Sequence, residues 1–293
     1  MSEQNYLTDE RATFYAKKFT DVYQLLPQDK GSKLRPFVTV QGGLVGEGAV
    51  AANQIGETTV NEVTEKYQDS PHNEVSTARR WFVPRTYDWG TLFEKIDKIQ
   101  TLGDPENMYA MAAKKAFGRN EDDRIIEAFY GANATGKDGQ SSTDFDANNI
   151  IAADNTGLTV AKLISAWELL QHNEIDLDIE APTMIITSKQ ATNLMNDAKY
   201  VNRDYGEVVL DNGRLKPFMG FNFIVKENLP IASSIRKCPV FVKSCLALGE
   251  WDNLTVELSK RADKKYLPYL YMRQSIGATR LNEKGCVSIE CKE

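Results

Sequence analysis

Histidine is nearly missing from this chain: His72 and His172 are the only two in 293 residues. Neither lies in an HExxH or HxxxH arrangement, and neither has a serine or cysteine partner placed by a motif. No GxSxG elbow and no GxxxxGK[ST] loop occurs. No residue is therefore assigned as catalytic, cofactor-binding or metal-ligating, and the chain is not expected to be an enzyme. Cysteine is also sparse. Cys238, Cys245, Cys286 and Cys291 form no CxxC pair, which argues against zinc. Four reduced thiols in the strands of a cytosolic protein is the plain reading. The first ten residues are polar and acidic rather than a secretory signal. Without secretion, the triplets Asn133-Ala134-Thr135 and Asn253-Leu254-Thr255 are chance matches to a glycosylation site. No apolar run approaches the roughly 20 residues of a membrane span, so no membrane partner is expected. A basic excess is missing too. The net charge is −6, unlike that of a general nucleic-acid binder, although a local basic patch is compatible with it.

What is present supports a folded protein. Hydrophobic residues make up 42%, enough for a sizeable core, and the length fits one large or two ordinary domains. The chain is organised around a long helix from Asp104 to Gly131. Asp104 is an N-cap, Pro105 fits the first helical position, and Gly131 with Thr135-Gly136 supplies the stop. Such a helix is about 40 Å long. Its apolar residues fall in two groups, Met108, Met111, Ala112, Ala116 and Phe117, then Ile125, Ile126, Phe129 and Tyr130. Between them lies a charged waist in which Arg119 pairs with Asp122 or Asp123, and Glu121 with Arg124, at helical spacing. The expectation is a strut buried at both ends and wet in the middle. Gly118 costs about 1 kcal/mol there and marks a close backbone approach or a kink.

Around this strut the chain reads in order. Residues 1–36 look like an arm, with Tyr6, Phe14, Phe19, Val22, Tyr23 and Leu26 spread among charges. They suit either a partner surface or a helix docked on its own core. Gly42, Gly43, Gly46, Gly48 and Gly56 follow in quick succession. Gly46-Glu47-Gly48-Ala49-Val50-Ala51 matches the letters of the dinucleotide fingerprint, but no helix is expected after it. Residues 57–90 read as a β-ribbon, with Thr59, Val60, Val63 and Thr64 leading in and Arg80-Trp81-Phe82-Val83 leading out. A two-stranded ribbon is barely stable alone in water, so it needs a surface to lie on. Trp89 to Thr101 is spaced as a short helix. Asp144-Phe145-Asp146-Ala147-Asn148 resembles the start of a calcium loop, but Asn149 and Asn155 replace its glycine and glutamate. An α/β unit spans 154–247: a helix over 158–171 with Leu163, Ile164, Trp167 and Leu170 inward, a buried strand at Thr183–Thr187, and a Ser188-capped helix. A hairpin at Asp211-Asn212-Gly213 and strands near 221–225 and 240–248 complete the unit. Residues 250–293 return to strands, with Leu254, Val256 and Leu258 alternating as one half-buried strand. From Gly136 to Pro182 nine acidic and two basic residues give −7; from Ser259 to Glu293 eight basic and four acidic give +4. Opposite excesses on one chain suit head-to-tail contacts between copies, or are ordinary surface scatter.

This order of elements resembles the major capsid proteins of tailed bacteriophages, the Hong Kong 97-type shell fold. The resemblance is carried by an ordered set covering most of the chain. It runs Gly31-Ser32-Lys33-Leu34-Arg35, Arg79-Arg80, Asp88-Trp89 with Ile96-Asp97-Lys98, and Asp104-Pro105 with Tyr109-Ala110. It continues with Gly118-Arg119-Asn120-Glu121-Asp122, Ile125-Ile126-Glu127-Ala128, Thr135-Gly136 and Gly157-Leu158-Thr159-Val160. Phe218-Met219-Gly220-Phe221 and Gly277-Ala278-Thr279-Arg280 complete it. The resemblance implies an α+β fold with an N-terminal arm (1–36), an extended loop with its lead-in (37–90), a peripheral domain (91–153 and 250–293) and an inserted axial domain (154–249). It implies hexamers and pentamers of an icosahedral shell enclosing DNA, in a virion assembled in the host bacterial cytoplasm. The partners implied are the chain itself, decoration, scaffolding and portal proteins, and DNA by non-specific contact only. Some relatives join a lysine to an asparagine covalently. Lys66 is the ribbon lysine, but no asparagine is identified for it, and covalent linkage is left out of the reading. Two rival readings are a cellular encapsulin-like nanocompartment shell and a cytosolic dinucleotide-dependent enzyme using Gly46–Ala51.

Overall fold

A computed structural model describes residues 31–64, 69–70, 72–93, 105–197, 210–211, 214–215 and 217–293. The arm residues 1–30, Lys66, Asp104, the 94–101 part of the expected short helix, the 200–206 loop and Asn212-Gly213 lie outside the described residues. The described elements run β1 (Thr39–Gly42), β2 (Ala49–Ile55), β3 (Thr77–Phe82), β4 (Arg85–Leu92) and the long helix α1 (Pro105–Tyr130). Then come β5 (Asn133–Thr135), β6 (Ser141–Thr143), β7 (Ile150–Ile151), α2 (Val160–His172), β8 (Thr183–Ile186) and α3 (Ser188–Met195). β9 (Leu210–Asp211), β10 (Arg214–Leu215), β11 (Asn222–Val225), β12 (Ile231–Ala232) and β13 (Ile235–Phe241) follow. β14 (Leu246–Arg261), β15 (Leu267–Arg280) and β16 (Cys286–Lys292) end the chain. The result is a mixed helix and sheet fold, as expected. It divides into two compact units.

The first unit comprises Met1–Ser32, Thr86–Asn120 and Asp252–Ser275. Its core is Phe93, Ala113, Phe117, Leu270 and Met272, with Tyr87, Trp89, Tyr109, Ala110 and Leu254 packed around them. Full burial of each large side chain contributes about 1.5–3 kcal/mol. Trp89 to Leu92 closes strand β4 rather than opening a helix, and the Phe93 N–H donates to the Pro268 carbonyl at 2.9 Å. The spacing of Trp89, Leu92 and Phe93 fits both periods. Pairing with β15 decides, leaving Tyr87 and Trp89 half-buried and Asp88 and Gly90 exposed in strand alternation. Met111, expected in the first apolar group, is exposed.

Gly118 has a definite cause. A Cβ there would stand 2.4 Å from the carbonyl carbon of Gly31 and 2.5 Å from the Ser32 nitrogen. The chain entering from the N-terminal side crosses the helix in direct backbone contact. Helix propensity alone predicts that Gly118→Ala stabilises by about 1 kcal/mol. The clash is with backbone that cannot swing aside, so overpacking of about 1–3 kcal/mol wins. Urea unfolding should show a net loss; a gain in stability would remove the crossing from the account.

The second unit comprises Lys33–Arg85, Glu121–Trp251 and Ile276–Glu293. Its largest sheet has the order β11-β8-β13-β16-β7, with β12 on β13. β8 is buried at all four residues, as its unbroken apolar run requires. In α2 the residues Val160, Leu163, Ala166 and Leu170 are buried, but Ile164 and Trp167 are exposed, a correction to the inward set. Lys162 points inward instead. Its ammonium donates to the carbonyls of Ala153 (2.8 Å), Thr156 (3.1 Å) and Glu290 (2.8 Å), and burial lowers its pKa. Helix α3 is opened by Thr187 rather than Ser188: its N–H donates to Gln190 Oε1 at 3.2 Å. β9 pairs antiparallel with β10, as the expected hairpin requires.

The waist of α1 is dry. Glu121 and Asp122 are buried, and partners from distant parts of the chain reach them. Asp122 accepts the backbone N–H groups of Lys33 (3.1 Å) and Leu34 (3.0 Å) and lies 3.4 Å from the Lys226 ammonium. Lys226 also reaches Asp123 at 2.9 Å, and Arg35 joins Glu121 and Glu250. Buried charges of both signs neutralise one another here, which is the condition for tolerating them inside.

Candidate functional site

No catalytic constellation emerges where the sequence offered fragments of one. His72 and His172 are both exposed. After Gly46 and Gly48 the chain enters strand β2, not a helix, so no helix N-terminus faces a pyrophosphate and the dinucleotide reading fails on geometry. In the acidic loop Asp146 accepts the Asn148 N–H at 2.9 Å, while Asn149 is buried and donates to the Glu283 carbonyl at 2.8 Å. The turn is thus closed by an Asp146–Asn148 bond of its own and tied down through Asn149 to Glu283. Asp176 likewise accepts the N–H of Asp178 at 3.0 Å, and Glu180 that of Ser244 at 3.0 Å. All four cysteines are free and buried. Burial pushes the Cys245 thiol up to about 11, away from reactivity at neutral pH. Among the described residues no group of His, Cys, Asp and Glu could hold a metal ion, and no helix is long and apolar enough to cross a membrane.

The unusual feature is the ribbon. β2 and β3 pair antiparallel from Ala49↔Phe82 to Ile55↔Thr77, with a bulge between Val50 and Ala52. The ladder therefore starts ten residues before the expected lead-in at Thr59. β3 continues the sheet through β5 to β6. The root is fastened heavily. Phe82 is fully buried with Ala51 and Ala247, and Trp251 stands edge-on to it at 6.3 Å. Arg80 pairs with Glu283 at 2.6 Å, Arg79 Nε donates to Asn53 at 2.8 Å, and the Trp81 indole donates to the Gly136 carbonyl at 2.8 Å. Arg85, just after β3, pairs with Glu127 at 3.2 Å. Lys284 meets Glu57 at 2.6 Å and holds that carboxyl below its ordinary range.

Beyond Ile55 the ladder stops. The Gly56 N–H donates to Ser76 O at 2.7 Å, Asn73 Nδ2 to Thr59 O at 2.6 Å, and Asn61 Nδ2 to Asn73 Oδ1 at 3.2 Å. The outer limb carries Ile55 (78% exposed), Val60 (94%) and Val63 (78%) into solvent. Those percentages decide the matter: among the described residues of one copy these side chains find little cover. Arginines and aromatics fix the root, and β-branched residues on the limb are left for another surface.

A strongly rooted limb with an unburied apolar outer part defines a subunit made to be built into an assembly. The chain belongs to the phage capsid protein family: the family model described as "Phage capsid protein" matches residues 12–293. A search of curated proteins finds no match. Solved structures agree on the fold. A chain from the capsid of cyanophage P-SCSP1u superposes with TM-score 0.74 at 15% identity, covering 96% of this chain and 94% of that one. A Mycobacterium phage Che8 structure gives TM-score 0.69 at 15% identity, with 94% and 96% covered. The capsid of Ralstonia phage GP4 gives 0.67 at 11%, with 100% and 98% covered. This protein is a structural component of a phage capsid, and its place is the virion.

Proposed function

We propose that this chain is the major subunit of an icosahedral shell around a phage genome, arranged as hexamers and pentamers. Within it, residues 1–36 serve as the arm, 37–90 as the extended loop, 91–153 with 250–293 as the peripheral domain and 154–249 as the axial domain. Support comes from the family membership and, above all, from the outer limb, where Ile55, Val60 and Val63 find little cover among the described residues of one copy. Their burial on a neighbour adds about 1.5–3 kcal/mol per side chain before association costs. Weak contacts of this kind, repeated over a closed shell, sum through multivalency. Assembly in the host cytoplasm, portal, scaffolding and decoration partners, and non-specific DNA contact belong to the same reading.

The test is a Val60→Asp/Val63→Asp chain examined by negative-stain microscopy beside the parent. Loss of shells with an unchanged circular dichroism spectrum is expected, because the substitutions touch nothing in the folded subunit. Deleting residues 1–30 examines the arm in the same assay. Shells of normal yield from the ribbon variant would overturn the role given to the limb.

A further inference from the structure

The strand pattern Leu254, Val256, Leu258 alternates as a half-buried strand should, yet only Leu254 reaches the core. Val256 is 53% and Leu258 63% exposed, so the same apolar row runs on into solvent along the β14–β15 hairpin. At its tip stand Lys260, Arg261, Lys264 and Lys265, all exposed, with Asp263 as the acid among them. Arg261 bonds Asp263 at 3.0 Å and lies 5.3 Å over the Tyr269 ring, which leaves three lysines as the outward charges. Lys265 and Tyr266 both adopt left-handed backbone, at φ 52° and 55°. Glycine would be less strained at both positions. Side chains are kept there all the same, and both point to solvent, Tyr266 at 66% exposure.

A tip of this composition repels copies of itself, so its partner surface is acidic and carries some apolar area. The 174–180 turn of the second unit has that composition. Glu174, Asp176 and Asp178 are exposed, Glu180 is tied to Ser244, and Ile179 is 79% exposed among them. The nearby cations are few: Lys243 beside Ser244, and Lys284, which is occupied by Glu57. We propose that the β14–β15 hairpin tip of one copy docks on the 174–180 turn of a second copy. Lys264 and Lys265 face its carboxylates, and Leu258 and Tyr266 cover Ile179. This is a heterologous contact, one surface meeting a different one on the next molecule. It rests on the shell-forming reading. The apolar row favours a protein surface over a nucleic-acid backbone, which offers phosphates and nothing for Val256 or Leu258 to bury against.

Full-length chains carrying Lys264→Glu/Lys265→Glu, Asp176→Lys/Asp178→Lys, or all four changes test it, scored by sedimentation and negative-stain microscopy with circular dichroism as the folding check. Each reversal alone should cut shell yield about tenfold or more, since like charges then meet, and the combined chain should regain most of it. High salt should weaken parental shells, as the screening length falls to about 3 Å near 1 M. Undiminished shells from either reversal, or no recovery in the combined chain, would overturn the contact. So would a hairpin reversal that keeps its shells but loses nucleic-acid retention, which would assign the tip to phosphate. A parental chain that forms no shells overturns the assembly reading itself, and this contact falls with it.

Discussion

Arg280→Met should remove about 3–5 kcal/mol of stability, enough to abolish soluble folded protein if the subunit is as marginal as most domains. Arg280 is the largest fully buried side chain. Its guanidinium donates to the carbonyls of Ala128 (3.3 Å), Phe129 and Gly131 (3.3 Å) at the end of α1, and to Thr143 O at 3.2 Å. Glu283 supplies the countercharge at 3.4 Å, and the Phe145 ring lies 5.4 Å beneath the cation. A helix C-terminus leaves carbonyls without intrahelical partners and carries partial negative charge. One planar five-donor cation satisfies several of these at once. Exchanging a buried ion pair for apolar residues is often harmless, because both partners can be replaced. Here the partners are backbone and stay behind as orphaned acceptors, each costing about 1–3 kcal/mol. Arg280→Lys keeps the charge but loses the fork, so it should retain only part of the stability. Urea midpoints order the three chains; a methionine chain within about 0.5 kcal/mol of the parent would sink this account.

The sequence exposed the elements whose causes are local. The span of α1, its Pro105 start and Gly131 stop, the buried run at Thr183–Ile186 and the return to strands near the end all follow from spacing, but the half-buried alternation of Leu254, Val256 and Leu258 does not hold, since the last two are exposed. Gly118 was readable as a close approach, but not what approaches, because Gly31 lies far away in the chain. The waist was misread for the same reason. Helical spacing shows only neighbours within the helix and so predicts a wet waist, whereas Lys33, Leu34 and Lys226, which help bury Asp122, are brought in by tertiary packing. Ile164 and Trp167 differ from Leu163 and Ala166 by a fraction of a helical turn, and only the position of the sheet settles which pair is inside. The candidate site was legible as a ribbon that needs support. Its root was not, since Arg80–Glu283 and Lys284–Glu57 join segments about 200 residues apart.

Asp122→Ala should cost about 3 kcal/mol or more and release the segment that begins at Lys33. The carboxylate accepts two backbone N–H groups at once, from Lys33 and Leu34, and both bonds are charge-assisted. Leu34 is fully buried beside them, so the strap is held by a polar clamp and an apolar anchor together. Lys226, itself buried, would keep Asp123 at 2.9 Å but lose Asp122 from the other side. Asp122→Asn retains one acceptor oxygen without the charge and should fall between the two. Trypsin separates this from a general loss of stability. Lys33 precedes Leu34 and becomes cleavable when the clamp opens, and the cleavage rate follows the open population while reclosing is fast. A variant that unfolds at the parental urea concentration and resists trypsin equally well would mean that the strap is held by something other than Asp122. If the clamp does control it, then the strap at Lys33 and Leu34 is fixed by one carboxylate on the central helix, with the buried Leu34 as its apolar anchor.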